Sequence, residues 1–204
     1  MEAKILIATT NKGKIKEICE ILNELPATLL TPEQLQLNLT IAETGSSYAE
    51  NAALKAIAFA RESGLLSVAD DSGLEVETLE GAPGIYSARY APQANATDAD
   101  RRAYLLEQLQ GHPRPWLARF VCVVAIATPA GKLQFSEGFC PGEIILEERG
   151  EQGFGYDPIF LLPQLGLTMA QLDRSRKNQI SHRGRAFQAA YPILCDLLES
   201  PVGK

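Results

Sequence analysis

Short apolar runs without a helical period alternate with amphipathic helix patterns, and this alternation constrains the fold more than any other feature. The chain opens with an apolar run over 4–8, a polar turn over 9–14 and a helix face over 15–22. A second apolar run, 65–69, follows another helix pattern. Buried strands interleaved with helices are typical of a sheet that carries packed helices. We therefore expect an α/β fold built on a mixed sheet.

Capping residues predict three further helices. Ser47 and Glu50 have the spacing of a capping box, and Gly64 provides a stop for that helix. A second helix, over 97–109, starts with a similar cap. The last helix opens at residue 181 or 182, and Pro192 should kink or interrupt it.

The remaining apolar segments predict strands. The run 65–69 should end at the two adjacent acids that follow it, and a weak strand is expected over 37–41. The β-branched run 117–127, a Pro-Ala-Gly turn and the segment 132–139 together predict an antiparallel hairpin. We expect one more strand over 142–147.

The composition is that of a globular protein, because 46% of the 204 residues are hydrophobic and 22% are charged. The net charge of −6 argues against sequence-independent binding to DNA or RNA. No apolar run reaches membrane-spanning length, and the first residues lack the pattern of a signal peptide. The four cysteines are scattered without a Cys-x-x-Cys pair, which predicts buried thiols rather than disulfides or zinc ligands. We expect a cytoplasmic protein with neither a nucleic-acid nor a membrane partner.

Asp70 and Asp71 stand side by side after an apolar run, with a Ser-Gly pair behind them. Because neighbouring side chains of an extended backbone point to opposite faces, only one acid would face a site, and we favour Asp71. Carboxylates at a strand end suit Mg²⁺ bound beside phosphates. Glu43 could join Asp71 on the ion, or simply favour the N-terminus of the helix that follows it. The alternative for the pair is a polar turn, since Asp-Asp-Ser-Gly is rich in turn-forming residues.

The segment 9–14, Thr-Thr-Asn-Lys-Gly-Lys, is a candidate phosphate site between a strand and a helix start. Such a junction gathers backbone N–H groups and the positive end of a helix dipole. Lys12 and Lys14 add positive charge. The segment lacks the first glycine and the Lys-Ser/Thr ending of a Walker motif, so a plain solvated turn is the alternative.

Two later segments carry aromatic and basic candidates. Phe154 or Tyr156 could stack on a base, although either ring could equally belong to the core. His182 and Arg183, with Lys177 upstream, are a concentration of cationic groups in an acidic chain. They could recognise an anion or a base edge, whereas a single histidine is more often structural.

Seven short motifs occur in one order along the chain: TTNKGK at 9–14, ETG at 43–45, ENAxxKA at 50–56, ADDSGL at 69–74, GAPGIYSARY at 81–90, GFGYDPIF at 153–160 and SHRG at 181–184. In this combination the sequence closely resembles the inosine triphosphate pyrophosphatase family, specifically its bacterial dITP/XTP pyrophosphatases. The match spans nearly the whole chain.

The resemblance implies an enzyme that hydrolyses non-standard purine nucleoside triphosphates (ITP, dITP, XTP) to the monophosphate and pyrophosphate, with Mg²⁺ as cofactor. It implies one domain over 1–204, in which a long mixed β-sheet with flanking helices forms two lobes around a substrate groove. It also implies a homodimer.

The resemblance further implies roles for individual residues. The triphosphate end would be held by Thr9, Thr10, Asn11, Lys12, Gly13 and Lys14. Glu43 and Asp71 would bind the metal, Asp71 would accept the proton of the attacking water, and Asp70 is a candidate helper. The other substrate contacts would come from Ser72, Phe154, Gly155, Tyr156, Asp157, Lys177, His182 and Arg183. Some relatives carry two acids before Thr-Gly; the first is replaced here by Ala42, so the ligand role falls on Glu43.

Selectivity would depend on the 6-position of the base. Donors from His182, Arg183 or nearby backbone N–H groups would match the 6-carbonyl of inosine and xanthosine and leave a mismatch with adenosine. Two alternatives stay open at this point. One is a broader nucleotide pyrophosphatase of related fold, and the other is a nucleotide sensor that binds through the same loops without catalysis.

Overall fold

The structure, a computed structural model, describes residues 3–199. Within them, seven strands form one sheet: β1 (Lys4–Ile7), β2 (Thr28–Leu30), β3 (Leu66–Val76), β4 (Trp116–Ala127), β5 (Leu133–Ile144), β6 (Phe160–Leu162) and β7 (Leu167–Thr168). The same part of the chain forms five α-helices: α1 (Lys12–Ile21), α2 (Tyr48–Ser63), α3 (Asp98–Gln108), α4 (Arg174–Ile180) and α5 (His182–Glu199).

The sheet is mixed, with the strand order β2-β1-β3-β4-β5-β6-β7. β1 pairs in parallel with β2 and with β3, where Ile5 lies opposite Leu66. β6 pairs antiparallel with β5 and with β7. β4 and β5 are neighbours joined by a short turn, closed by the Thr128 N–H, which donates to the Lys132 carbonyl at 2.9 Å. Strands joined by so short a turn run antiparallel, so the α/β fold class and the hairpin are confirmed.

The chain divides into two compact units. The first unit comprises the chain up to Asp71, Cys122–Gly138 and the chain from Arg183 onward. The second comprises Ser72–Val121 and Phe139–His182. The single domain over 1–204 with its groove stays a prediction, and residues 1–2 and 200–204 of it lie outside the described chain.

In the first unit, the alternation of strand side chains separates two apolar clusters. The α1–α5 cluster combines side chains of β1, β3 and β4 with those helices and includes Ile5, Ile7, Val68, Ile18, Leu22, Phe187, Ala190 and Leu194. The α2 cluster uses the alternate strand positions and includes Leu6, Ala8, Ala69, Ala52, Ala56 and Phe59. Successive residues of β3 therefore point to different helices.

The second unit has its own core. Leu74 and Val76 of β3 pack there with Trp116 and Phe120 of β4. Phe120 also packs against Phe160, with 4.3 Å between the ring centroids.

The strand predicted over 37–41 is wrong, and the nearest strand is β2. Its alternation is nevertheless real: Leu37, Leu39 and Ile41 pack on the α2 cluster, while Asn38 and Thr40 are exposed. The segment buries one side without joining a strand ladder. A period of two therefore reports extended backbone, not pairing.

Two strand ends were also predicted wrongly. β3 does not stop before Asp70 but continues to Val76, which rules out the polar-turn alternative for the acid pair. The separate strand over 142–147 is wrong because Gly142 lies inside β5. A Cβ at this glycine would approach the Leu161 carbonyl oxygen to 2.5 Å, so Gly142 permits a close approach and does not break the strand.

The predicted helices are present, with two corrections. Ser47 caps α2 by accepting from the Glu50 N–H, but the Glu50 carboxylate bonds the N–H of Ser46 at 2.6 Å instead of completing a capping box. α5 runs through Pro192, so the predicted interruption is wrong, and the alternative of a kink stays a prediction. Pro192 is exposed, and we attribute the continuity to packing of the buried side of the helix, which includes Leu194.

The structure also describes the cysteines and the lengths of the apolar helices. Cys19, Cys122, Cys140 and Cys195 are free thiols; Cys122 and Cys140 are buried as predicted, whereas Cys19 and Cys195 are only half-buried. Between residues 3 and 199 no helix is both long and apolar enough to cross a membrane.

Candidate active site

Asp70 and Asp71 point to opposite faces of the sheet, as the extended backbone predicts. Asp70 has the phase of Val68, so its side chain meets α1 and α5. Asp71 has the phase of Ala69, so its side chain meets α2. The two adjacent acids therefore belong to separate networks with separate chemistry.

Asp70 is fully buried, and one of its oxygens takes all of its ionic contacts. Oδ2 accepts from Nε and Nη2 of Arg183 at 3.2 and 3.1 Å and lies 3.0 Å from Nζ of Lys14. Burial opposes ionisation, but Lys14, Arg183 and Lys55 outweigh it and hold the pKa of Asp70 well below its usual range. Oδ1 is buried without a hydrogen-bond partner among residues 3–199. Asp70 is thus a fixed anion with its cations already in place.

Arg183 is the centre of this buried network. Its guanidinium is 1% exposed and also donates through Nη1 to the Glu17 carboxylate at 2.7 Å. Burial favours the neutral form, yet Asp70 and Glu17 more than compensate and raise the pKa of Arg183. Two acids and two cations are therefore paired around a fully buried Asp70–Arg183 contact, and removing either of these two would leave its partner's charge buried and uncompensated.

Asp71 retains slight access to solvent, with 6% of the residue exposed. Its Oδ2 accepts from Nδ2 of Asn51 at 3.3 Å, and its Oδ1 lies 3.6 Å from Nζ of Lys55. Burial raises the pKa of Asp71; Lys55 and Lys14 oppose that rise, and Glu43 and Asp70 add to it. Of the two acids, Asp71 is the one with any exposure to solvent.

Asn51 sets the orientation of the Asp71 carboxylate. Its Oδ1 accepts from the Gly45 N–H at 2.8 Å, so the amide NH₂ is the end that faces Asp71. Asn51 is fully buried. A Cβ at Gly45 would lie 2.6 Å from the Glu50 Cβ and 2.8 Å from Asn51 Oδ1, so only glycine fits there.

Lys55 joins Glu43 to Asp71. Its Nζ donates to Glu43 Oε1 at 2.7 Å and lies 3.6 Å from Asp71 Oδ1. Burial lowers the pKa of Lys55, but Asp70, Asp71 and Glu43 together raise it above its usual value. One ammonium therefore holds two carboxylates near each other.

The alternating segment before α2 explains why Glu43 is the acid that faces inward. Ile41 and Glu43 are half-buried on one side, whereas Ala42 and Thr44 are exposed on the other. An acid at position 42 would point away from Lys55. Two positions were considered for Glu43, near Asp71 or at the N-terminus of α2. Its carboxylate binds Lys55 near Asp71, and Ser47 caps α2.

The donor set fits Mg²⁺ held jointly with a ligand. Between residues 3 and 199 no group of three or more His, Cys, Asp or Glu is arranged to hold a metal ion. Mg²⁺ in phosphate-binding enzymes is typically bound by one or two carboxylates, with waters and substrate phosphates as the other ligands. Glu43 and Asp71, already gathered around one cation, are the pair that would hold it.

The 9–14 segment is only partly a turn. α1 begins at Lys12, and Asn11 caps it by accepting from the Lys14 N–H at 3.1 Å. Gly13 and Lys14 therefore belong to the first helical turn, which corrects the predicted turn boundary. Lys12 is exposed, whereas Lys14 pairs with Asp70. Thr9 Oγ1 accepts from the Asn11 N–H at 3.2 Å and fixes the bend before the helix.

In the second unit, residues 153–157, which include four of the predicted substrate contacts, form one loop with internal hydrogen bonds. Asp157 Oδ2 accepts from Lys177 Nζ at 2.7 Å and from the Phe154 N–H at 2.9 Å. Lys177 lies in α4, is buried, and stands 5.1 Å from the centroid of the Phe154 ring. Lys177 is thus bound to the loop rather than solvated, and its contact with substrate stays a prediction.

The two aromatic residues of this loop differ. Tyr156 is buried in the core, where its hydroxyl donates to the Ser87 carbonyl at 2.9 Å. Burial raises the pKa of Tyr156 well above its usual value. The core alternative therefore describes its ring, and Phe154, which is half-buried, is the better candidate for stacking on a base. Ser72, in β3, is also half-buried.

His182 and Arg183, adjacent in sequence, do not act as one group. The His182 ring is buried in the second unit and stacks on Phe120, with 4.6 Å between centroids. Arg183 lies in the first unit with Asp70 and Glu17. The base-reading role expected of Arg183 stays untested, but here its guanidinium is engaged by two carboxylates.

A sequence model described as the Ham1 family matches residues 5–193. The chain belongs to the Ham1 family. A curated relative named dITP/XTP pyrophosphatase, from Desulforamulus reducens, is 46% identical over 192 residues, which cover 94% of this chain and 95% of the relative. One of the same name from Listeria monocytogenes is 44% identical over 203 residues, covering 99% of this chain and all of the relative.

A solved Ham1 protein from Coxiella burnetii has the same fold, with a TM-score of 0.86 at 40% identity. The match covers 95% of this chain and 99% of that protein. The resemblance stated from the sequence motifs is therefore confirmed at the level of the family. The predicted α/β architecture is also that of the Coxiella burnetii protein.

Three residues of the site were not predicted from the sequence. Asn51 and Lys55 contact Asp71, and Glu17 contacts Arg183. Asn51 and Lys55 are four residues apart in the motif over 50–56, a spacing that places both on one face of a helix. This spacing could have identified Asn51 and Lys55 as neighbours. No pattern in the sequence identifies Glu17, because its partner Arg183 is 166 positions away.

Proposed function

We propose that this Ham1-family chain is a Mg²⁺-dependent nucleoside-triphosphate pyrophosphatase that hydrolyses dITP, XTP and ITP to the monophosphate and pyrophosphate. The observation that carries the proposal is the pairing of Glu43 and Asp71 on Lys55, next to Asp70, which binds Lys14 in the first turn of α1. It is supported by relatives named dITP/XTP pyrophosphatase that match over more than nine-tenths of the chain. The homodimer and the cytoplasmic location stay predictions.

The proposed mechanism assigns separate tasks to the two adjacent acids. When bound by Glu43 and Asp71, Mg²⁺ would supply polarisation of the attacked phosphate and neutralisation of the leaving pyrophosphate. Asp71 takes the proton of the attacking water, because it is the acid with solvent access and one ordered amide contact. Asp70 holds Lys14 in place and does not exchange protons, since its ionised form is fixed by Lys14 and Arg183.

The positive charge needed by the triphosphate comes from the start of α1. Lys12 is exposed there, and the helix N-terminus adds its partial positive charge. This local charge opposes the net negative charge of the chain. Phe154 is proposed to stack on the purine, and a donor to the 6-carbonyl would select inosine and xanthosine over adenosine.

Pyrophosphate release from a panel of nucleotides tests the proposal. With Mg²⁺, the protein is expected to convert dITP, XTP and ITP to monophosphate and pyrophosphate much faster than GTP or ATP. EDTA should stop release, and excess Mg²⁺ should restore it. Equal rates on all five nucleotides would overturn the selectivity, and orthophosphate as product would overturn the reaction. Binding without turnover would instead support the nucleotide-sensor alternative.

Glu43→Gln should raise the Mg²⁺ concentration needed for half-maximal rate by roughly tenfold or more, because a charged ligand is lost. Titration of Mg²⁺ or Mn²⁺ against the protein without nucleotide gives a second readout. Adding Ala42→Glu to Glu43→Gln is the matched control. Because position 42 is exposed, the second acid should restore nothing. Full restoration would contradict the inward assignment of Glu43.

A further inference from the structure

Both backbone groups of Gly155 are bound by side chains of α3. Its N–H donates to Asp98 Oδ2 at 2.7 Å, and its carbonyl accepts from Arg102 Nη1 at 2.9 Å. All three residues lie in the second unit. Asp98 and Arg102 are one helical turn apart, so α3 holds this glycine from two adjacent positions on one face.

Each of the two side chains is itself held. Arg102 forms a two-pronged contact with Glu148, with Nε and Nη2 each 2.8 Å from a carboxylate oxygen. Asp98 is bonded by Arg101, which also donates to the Ala96 carbonyl at 2.6 Å. A fixed donor and a fixed acceptor lose little entropy when they hold the loop.

The loop that they hold needs such support. Gly153 and Gly155 have positive φ angles of 78° and 62°, and glycine backbone is the most permissive in a protein. Asp157 holds Phe154 through its N–H. α3 holds Gly155 through both of its backbone groups, so consecutive peptides on both sides of the Phe154 ring are anchored.

Asp98 and Arg102 are not needed to cap their own helix. Thr97 and Asp100 form a complete capping box at the start of α3. Asp98, at the first helical position, turns its carboxylate to Gly155 and Arg101 instead. The Thr97–Asp100 capping box stabilises the start of α3, and Asp98 and Arg102 bind the loop.

We propose that Asp98 and Arg102 are positioning residues, which set the 153–157 loop so that Phe154 can receive the purine base. The inference rests on the proposed function, since it takes nucleotide binding by this loop as given. Neither residue touches the reacting phosphates. They should therefore act on nucleotide affinity and base selectivity and leave the chemical step unchanged.

Kinetics of Asp98→Ala and Arg102→Met test the proposal. Each variant should raise KM for dITP and XTP by about tenfold, the effect of losing one charge-assisted hydrogen bond, while kcat stays near that of the wild type. Discrimination against GTP should fall. Asp98→Asn keeps an acceptor for the Gly155 N–H and should recover most of the lost affinity.

Thr97→Ala is the matched structural control, because it weakens the same helical turn without touching Gly155. It should lower Tm and leave KM unchanged. An unchanged KM in Asp98→Ala, or an equal rise in Thr97→Ala, would overturn the positioning role.

Hydrogen exchange separates this proposal from the proposed function. Peptides covering 153–157 should exchange faster in Asp98→Ala than in the wild type, with or without nucleotide turnover. A wild-type protein that releases no pyrophosphate would refute the proposed function. Unchanged exchange at the loop would refute the anchoring by α3, whatever the activity.

Discussion

Asp71→Asn is expected to slow pyrophosphate release by roughly 10²–10⁴-fold, the usual contribution of a general base, while the protein stays folded. The carboxamide cannot take the proton of water, yet its oxygen can still accept from Asn51 Nδ2. Lys55 keeps its 2.7 Å contact with Glu43. The free energy of unfolding should therefore change by no more than about 1 kcal/mol.

Single-turnover rates and urea denaturation of the same preparation measure both halves of this prediction. Glu75→Gln is the matched control, because it makes the same acid-to-amide change on the same strand, in a surface pair with Arg119. It should leave both the rate and the stability near those of the wild type. A rate for Asp71→Asn close to wild type would remove Asp71 from the chemistry.

Asp70→Asn should instead destabilise the protein by roughly 3–5 kcal/mol, the typical result of removing one partner from a buried ion pair. Arg183 and Lys14 would lose the negative charge that they share, because the carboxamide oxygen is neutral, and Arg183 has only 1% exposure to solvent. The same substitution at two neighbouring positions is thus expected to have different effects: Asp71→Asn lowers the rate, and Asp70→Asn lowers the stability. Equal stability of the two variants would contradict the separate networks.

The pH dependence of that stability has a definite sign. The folded-state pKa of Asp70 lies below the unfolded value near 3.8, so its stabilisation is complete above this pH. It is lost as the pH falls further, because the unfolded chain then binds a proton that the folded state resists. The stability difference between wild type and Asp70→Asn should be constant around neutrality and shrink below about pH 4, as measured by urea titration.

Local patterns in the sequence were enough to predict the opposite orientations of Asp70 and Asp71. A period of two needs only that the backbone be extended, and β3 is extended through both acids. Helix caps at Ser47 and Thr97 were also readable, because a cap is a contact between residues three positions apart. Features fixed by short-range geometry could be predicted.

Features fixed by distant partners could not be predicted. The extended segment over 37–41 looks like a strand, and only the absence of a ladder partner in the fold excludes it. His182 and Arg183 looked like one cationic group, but an aromatic ring at Phe120 and an acid at Asp70 separate them. The partners of His182 and Arg183 lie more than 60 positions away, and nothing in the local sequence identifies them or shows that 37–41 lacks a ladder partner.

The ion pair between Asp70 and Arg183 has a consequence for synthesis of the protein. Glu17 and Lys14 come from the first helix, Asp70 from the middle of the chain and Arg183 from the last helix. In a chain emerging from the ribosome N-terminus first, Lys14 is available to Asp70 early, but Arg183 is available only when nearly all of the chain has been made. The buried ion pair behind β3 therefore forms late, and a nascent chain that lacks α5 should remain inactive even with all its proposed metal ligands translated.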